Sequence, residues 1–281
     1  MQAARNRSAA FCFALLALTA CASAWAQLLA PIPDLSQAYV LRVYNATGSK
    51  TLWSRQAESR LPPASLTKVM TALLLLENYQ PNAVVTVSRR AANATGSRLK
   101  IKAGERYTVE NLLLGALLAS GNDACRALAE WRDGSEAKFV ARMNQRAAEL
   151  DLKQTHFENA CGHDAVEHYS SAEDLATLTE IALRHPVFAD MVRQKEARVK
   201  TVDGARNFHI KNKNELIGRH AYVIGVKSGY TPKAGKCLIA LAERDGVRVL
   251  LVMLNAPDRW WNAHAVLDRA LEYASENSAH Q

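Results

Sequence analysis

The pattern of apolar and polar positions starts with two short strand-forming runs, Val40 to Tyr44 and Thr51 to Ser54. They flank "NATGSK", whose Asn, Gly and Ser suit a turn, so the pattern predicts a hairpin over 37–56. A strongly apolar stretch follows at 65–78. Pro62 and Pro63 confine the chain just before it, and the reading is a buried helix. From about 79 to 200 the signals are mostly helical, clearest in "TVENLLLGALLAS" (108–120), "SEAKFVARMNQRAAELD" (135–151) and "SSAEDLATLTEIALRH" (170–185). At the head of the last, Ser170 with Glu173 and Ser171 with Asp174 both fit a capping box. Strands return in "YVIGVKSGYT" (222–231) and in "KCLIALAERDGVRVLLVMLNA" (236–256), the latter folded at Asp245-Gly246, and a helix at about 260–275 follows. This order predicts an α+β protein with one antiparallel sheet built from both ends of the chain and a helical insert between them. No internal repeat breaks it, so the expectation is one mature domain, 27–281, with two lobes.

The first 26 residues stand apart from that core. Arg5 and Arg7 precede an apolar run from Ala9 to Ala20 that is too short to span a bilayer, and Ala24-Trp25-Ala26 offers a cleavage site for an exported chain. Leu18-Thr19-Ala20-Cys21 competes as a lipobox, which would leave Cys21 as a lipid anchor. Either way the expected location is the periplasm. Losing Arg5 and Arg7 takes the formal charge from +8 to +6. That moderate excess suits carboxylate-bearing or wall-polymer partners. A nucleic-acid partner is not expected, because no clustered basic stripe is present. Cleavage after Ala26 leaves Cys125, Cys161 and Cys237: one pair plus a free thiol, or three buried thiols.

Candidate chemistry begins in "PPASLTK". Residues i and i+3 share a helix face, so Ser65 and Lys68 point the same way. A serine hydroxyl needs a base to become a nucleophile, and a lysine with a lowered pKa can be that base. An isolated Ser-x-x-Lys is usually a capped helix and a surface lysine. Two further groups change that weighting. "LLASGNDAC" puts Ser120 and Asn122 at the end of an apolar helical run, where Gly121 breaks the regularity. "GVKSGYT" puts Lys227 and Gly229 on one face of a strand and Ser228 on the other, with Gly229 leaving room for a substrate backbone. Together they form the S-x-x-K, S-D-N, K-T-G set of acyl-serine enzymes, with two one-residue variants.

"PPASLTKVMTALL", "GERYTVENLLLGALLASGNDAC", "THFENACGHDAVEHYSSAEDLA" and "GVKSGYTPKAGKCL" resemble the low-molecular-mass penicillin-binding proteins, the D-alanyl-D-alanine carboxypeptidases and endopeptidases. The likeness runs from about Ala38 to Tyr273. It implies a serine β-lactamase/DD-peptidase-like fold with a five-stranded sheet. It also implies a serine acyltransferase that takes peptidoglycan stem peptides, is acylated by β-lactams, and needs no metal or organic cofactor. By position, Ser65 would be the nucleophile, Lys68 its base, and Ser120 the proton relay to the leaving amine. Asn122 would hydrogen-bond the substrate amide, and Lys227 would hold the local charge. The N–H groups of Ser65 and Tyr230 would form the oxyanion hole. Ser228 and Lys213 would receive the terminal carboxylate, Lys213 lacking the fork of the arginine many relatives place there.

Departures from the family pattern are local. Ser228 stands for the usual threonine and keeps the hydroxyl. "ENACGHD" replaces the usual Asn-Pro-x-Gly-Leu and puts the shape of that loop in question. The expected activity is a carboxypeptidase, with a DD-endopeptidase as the rival, which an end soon after the final helix favours. A β-lactamase is disfavoured by the lack of a Glu-x-x-x-Asn motif, and an inactive wall-binding scaffold by the intact polar set. His163 and His168 lack a metal-ligand spacing. Trp260 and Trp261 are expected to lie buried under the last helix rather than stacked on sugars.

Overall fold

The computed structural model describes residues 35–45 and 48–278. The export segment, its Cys21 lipobox and the Ala26 cleavage position lie outside the described residues. Five strands form the main sheet: β1 (Ala38–Asn45), β2 (Gly48–Arg55), β7 (Val223–Thr231), β8 (Gly235–Arg244) and β9 (Val247–Leu254). Their order is β2-β1-β9-β8-β7, antiparallel throughout, so both ends of the chain supply the sheet as the pattern predicts. Asp245 (φ +52°) and Gly246 (φ +78°) make the β8–β9 turn, with both central residues at positive φ as a two-residue hairpin requires. The central strands are apolar on both faces because each face has its own core. Ile239, Leu241, Leu250, Val252 and Leu254 face the helical lobe. Leu238, Ala240, Val249, Leu251 and Met253 face α8 (Arg259–Ser278), the helix that closes the other side.

The predicted helix at 65–78 is two elements. A 3-10 turn covers Ala64–Thr67, and the α-helix α1 covers Lys68–Leu76. Ala64, at φ +49°, opens the turn and stops the helix from running further back. Every residue of α1 is buried, Lys68 and Thr71 included, which makes it the central helix of the larger core. Around it stand α3 (Val109–Leu117), α4 (Asn122–Asp133), α5 (Glu136–Glu149) and α6 (Ala172–Leu183), after a short α2 (Arg89–Ala92); α7 (Pro186–Val192) follows α6. Ser171, not Ser170, caps α6, its Oγ accepting from Asp174 N at 3.1 Å. Ser170 is held instead by Thr155 and by a backbone bridge to Leu61.

One helix and two strand pairs depart from the expectation of a helical stretch followed by polar chain. The helix α4 is additional, because Gly121 at its N-cap offers no side-chain signal. The strands β3 (Val84–Thr86) and β4 (Arg106–Thr108) pair with each other, as do β5 (Glu196–Lys200) and β6 (Asn207–Lys211). These hairpins are short, and their pairing partners are set by tertiary contact rather than by periodicity. Among the described residues no helix is long and apolar enough to cross a membrane.

Candidate active site

The Ser65 turn is pressed between two glycines. A Cβ on Gly162 would lie 1.8 Å from Ala64 O, and one on Gly229 would lie 2.9 Å from Ser65 N. Only glycine permits this double approach, and it brings the edge strand β7 and the 160–162 loop against the serine from opposite chain segments. Thr67 stiffens the turn by donating to Ala64 O at 2.8 Å.

Lys68, next in the chain, has its amine fully buried among three oxygens: Ser65 Oγ at 3.0 Å, Asn122 Oδ1 at 2.7 Å and Cys161 O at 2.6 Å. Burial, reinforced by the charges of Lys227 and Lys213, holds its pKa well below the ordinary lysine range. A neutral amine has two N–H donors and one lone pair. The Asn122 and Cys161 carbonyl oxygens can only accept, so they take the two N–H groups. The lone pair is left facing Ser65 Oγ, as proton abstraction from the hydroxyl requires.

Ser120 and Asn122 arrive through a bend between α3 and α4. Ser120 itself takes the left-handed conformation, φ +58°, while Gly121 stays in the extended region. The residue that breaks the helical run is therefore the serine. Gly121 is needed for space, since a Cβ there would meet Asp123, Leu99 and Gly115 O at 3.1–3.3 Å. A non-glycine residue held at positive φ is the local strain that functional sites often carry. Buried Asp123 staples the facing loop by accepting from Leu99 N and Ile101 N. That loop supplies Thr95 O to Asn122 Nδ2 (2.7 Å) and Ser97 O to Asn122 N (2.7 Å).

From β7, Lys227 donates to Ser120 Oγ at 3.1 Å and to Ser228 O at 3.0 Å. Burial, then the charges of Lys213 and Arg259, pull its pKa down to about 7. Ser228 Oγ donates to Lys213 O at 3.3 Å. Lys213 is exposed along its stem, but its Nζ is drawn onto Ser97 Oγ at 2.6 Å, and desolvation there lowers its pKa. Tyr230 stands open at the strand's end, 63% exposed. The structure thus assembles Ser65, Lys68, Ser120, Asn122, Lys213, Lys227, Ser228 and Gly229 into one contact chain with Tyr230 at its rim.

Sequence reasoning missed the Cys161 carbonyl, Gly162, Thr95 and Ser97. The departure "ENACGHD" was the only local signal, and it marked the loop that carries the first two. Cys125 and Cys161 form a disulfide with Cα atoms 6.0 Å apart, and Cys237 is a free buried thiol. His168 is buried; its Nδ1 accepts from Glu158 N, so its Nε2–H donates to Thr67 Oγ1 at 2.9 Å. Burial takes its pKa down to about 4. No group of three metal-ligating side chains occurs among the described residues. Trp260, in the first turn of α8, packs partly buried on the core, but Trp261 is 78% exposed, which corrects the expectation that both lie buried.

The D-alanyl-D-alanine carboxypeptidase family pattern matches residues 31–258. D-alanyl-D-alanine carboxypeptidase DacF of Bacillus subtilis is 38% identical over 74% of this chain, which spans 54% of that protein's own length. DacB2 of Mycobacterium tuberculosis is 33% identical, covering 85% of this chain and 83% of its own. Among solved structures, a Streptomyces DD-transpeptidase aligns with a TM-score of 0.80 at 29% identity, over 86% of this chain and 99% of that one. The carboxypeptidase DacD of Francisella tularensis aligns at 0.79 and 27%, over 86% and 71%.

Proposed function

The chain belongs to the D-alanyl-D-alanine carboxypeptidase family, and on that premise we propose that it is a periplasmic serine-type carboxypeptidase acting on peptidoglycan stem peptides. The observation that carries this reading is the buried Lys68 amine, 3.0 Å from Ser65 Oγ and flanked by the acceptors Asn122 Oδ1 and Cys161 O, with burial holding its pKa well below the ordinary lysine range. Lys68 takes the Ser65 proton as Oγ attacks the carbonyl of the penultimate D-alanine. The N–H groups of Ser65 and Tyr230 receive the developing oxyanion, a donor pair that contributes a few kcal/mol in such reactions. Ser120, bonded to Lys227, passes a proton to the departing amine. Water then cleaves the Ser65 ester, with Lys68 as base again. Asn122 aligns the substrate amide. Lys213, Lys227 and Ser228 supply the positive, hydrogen-bonding end of the cleft for a terminal carboxylate. β-Lactams would enter by the same attack and stay as covalent esters.

The test is covalent capture. Purified protein incubated with a penicillin should gain one adduct mapped to Ser65 by mass spectrometry, and Ser65→Ala should gain none. An unlabelled wild type, or a labelled variant, overturns the mechanism. Digestion of uncross-linked against cross-linked muropeptides then measures carboxypeptidase against endopeptidase activity. Rapid release of the opened penicillin would mean a β-lactamase. The intact mass of the exported protein tests cleavage after Ala26 against lipidation of Cys21.

A further inference from the structure

Two of the three oxygens around the Lys68 amine come from segments that one covalent bond ties together. Asn122 is the first residue of α4, and Cys125 lies three positions on, on the same helix face. Cys161, whose carbonyl is the other acceptor, is bonded through sulfur to Cys125 across 36 residues. The loop on either side of Cys161 is equally engaged with the nucleophile's helix. Ala160 O accepts from Thr71 Oγ1 at 2.6 Å, one turn along α1 from Lys68, and Gly162 packs on Ala64. Both cysteines are buried to within 1%. The loop has no regular secondary structure of its own: Asn159 Oδ1 braces it from within by accepting from Cys161, Gly162 and His163 N–H groups, and Glu136 Oε1 of α5 holds it from outside by accepting from Ala160 N at 3.3 Å. The disulfide is therefore the covalent part of what holds the Cys161 carbonyl at a fixed distance from the Asn122 amide.

Resting on the function proposed above, we propose that Cys125–Cys161 is the positioning bridge of the acyl-transfer site, setting which atoms the Lys68 amine faces, so that a dithiol reductant turns acylation down. The chemistry balances as thiol–disulfide exchange. The dithiol gives two electrons and two protons, becomes a cyclic disulfide, and leaves two thiols at Cys125 and Cys161. Freed of the bond, the 160–162 loop can part from α4 and admit water beside Lys68. Burial is the leading cause of that lysine's lowered pKa, so hydration raises it and protonates more of the base at neutral pH. Cys237, buried with its thiol pushed up to about 11, has no part in the exchange.

Peptide mapping of alkylated, unreduced protein should find Cys125 joined to Cys161. The acylation rate with a fluorescent penicillin is then followed from pH 5 to 9 before and after dithiothreitol. Reduction should move the acid limb up by about one pH unit, which lowers the rate by about tenfold at pH values on that limb. The double variant Cys125→Ser, Cys161→Ser should reproduce the reduced profile and ignore dithiothreitol; if it does not fold, the reduced wild type carries the reading. Two free thiols in protein made under oxidising conditions overturn the proposal. So does a reduced enzyme that melts lower but keeps its rate and pH profile, because that is a purely structural bridge. Failure of the oxidised protein to acylate at all would instead refute the proposed function. Lysine-selective 13Cε NMR then decides the bridge alone, since the Lys68 titration should still move to higher pH on reduction, and an unmoved titration refutes it.

Discussion

Lys68 Nζ lies 2.7 Å from Asn122 Oδ1, and the same amide is pinned from behind, its Nδ2 donating to Thr95 O at 2.7 Å. The second bond fixes which end of the amide the lysine sees. Asn122 therefore presents an uncharged acceptor to an amine that must stay neutral to act as a base.

Replacing Asn122 by Asp tests that relationship. A carboxylate within 4 Å favours the ammonium form and raises the lysine pKa. Acylation at pH 7 should fall by more than about tenfold, with the acid limb moved to higher pH. A rate–pH profile with a penicillin measures both, and an unshifted limb would show that Asn122 does not govern Lys68.

Lys213 lowers the pKa of both buried lysines through its charge. Lys213→Gln removes that charge, so both values should rise and the acid limb of acylation should move up by a fraction of a pH unit. KM for a peptide ending in a carboxylate should rise further than KM for its amide. Equal changes for the two substrates would take Lys213 out of carboxylate binding.

Gly162 and Gly104 are both at positive φ, +86° and +84°, but only Gly162 is crowded. Gly104→Ala should cost about 1 kcal/mol from backbone strain alone and leave acylation unchanged. Gly162→Ala must displace the Ala64 carbonyl, so it should reduce acylation by at least about a hundredfold through misplacement of Ser65. Denaturant melts and adduct formation, measured side by side, separate strain from misplacement.

His168 makes stability depend on acid. Its folded pKa, about 4, lies below its ordinary value of 6.5. Between those pH values the unfolded chain binds the extra proton, so stability is full above about 6.5 and falls as pH drops toward 4. The loss should be on the order of 3 kcal/mol. His168→Gln should flatten the melting temperature against pH across that window. A variant as steep as the wild type would place the acid sensitivity elsewhere.

Where local signals were strong, the sequence could be read directly. The runs from Lys236 to Ala256 are apolar because strands covered on both faces have no polar side to show, and Asp245-Gly246 fits its two-residue turn. The three polar motifs were likewise visible as residue types and spacings. The helix at Asn122 was not, because a glycine stands at its N-cap. The break in the helical run was assigned to Gly121, the usual breaker, whereas the left-handed residue is Ser120. The pairing of Cys125 with Cys161 was left open because three cysteines in a row of numbers carry no distances.

Lys68 separates the two kinds of information. Its place three residues after Ser65 is a local fact, and the sequence by itself determined that serine and base would share a turn. Its behaviour as a base depends on acceptors 54 and 93 positions away and on the water those segments exclude. Helix and strand periodicities record which residues face a core, but not which distant segments meet there. Desolvation and hydrogen bonding act through those meetings, and so only the tertiary structure decided that the lysine is poised to take a proton from Ser65.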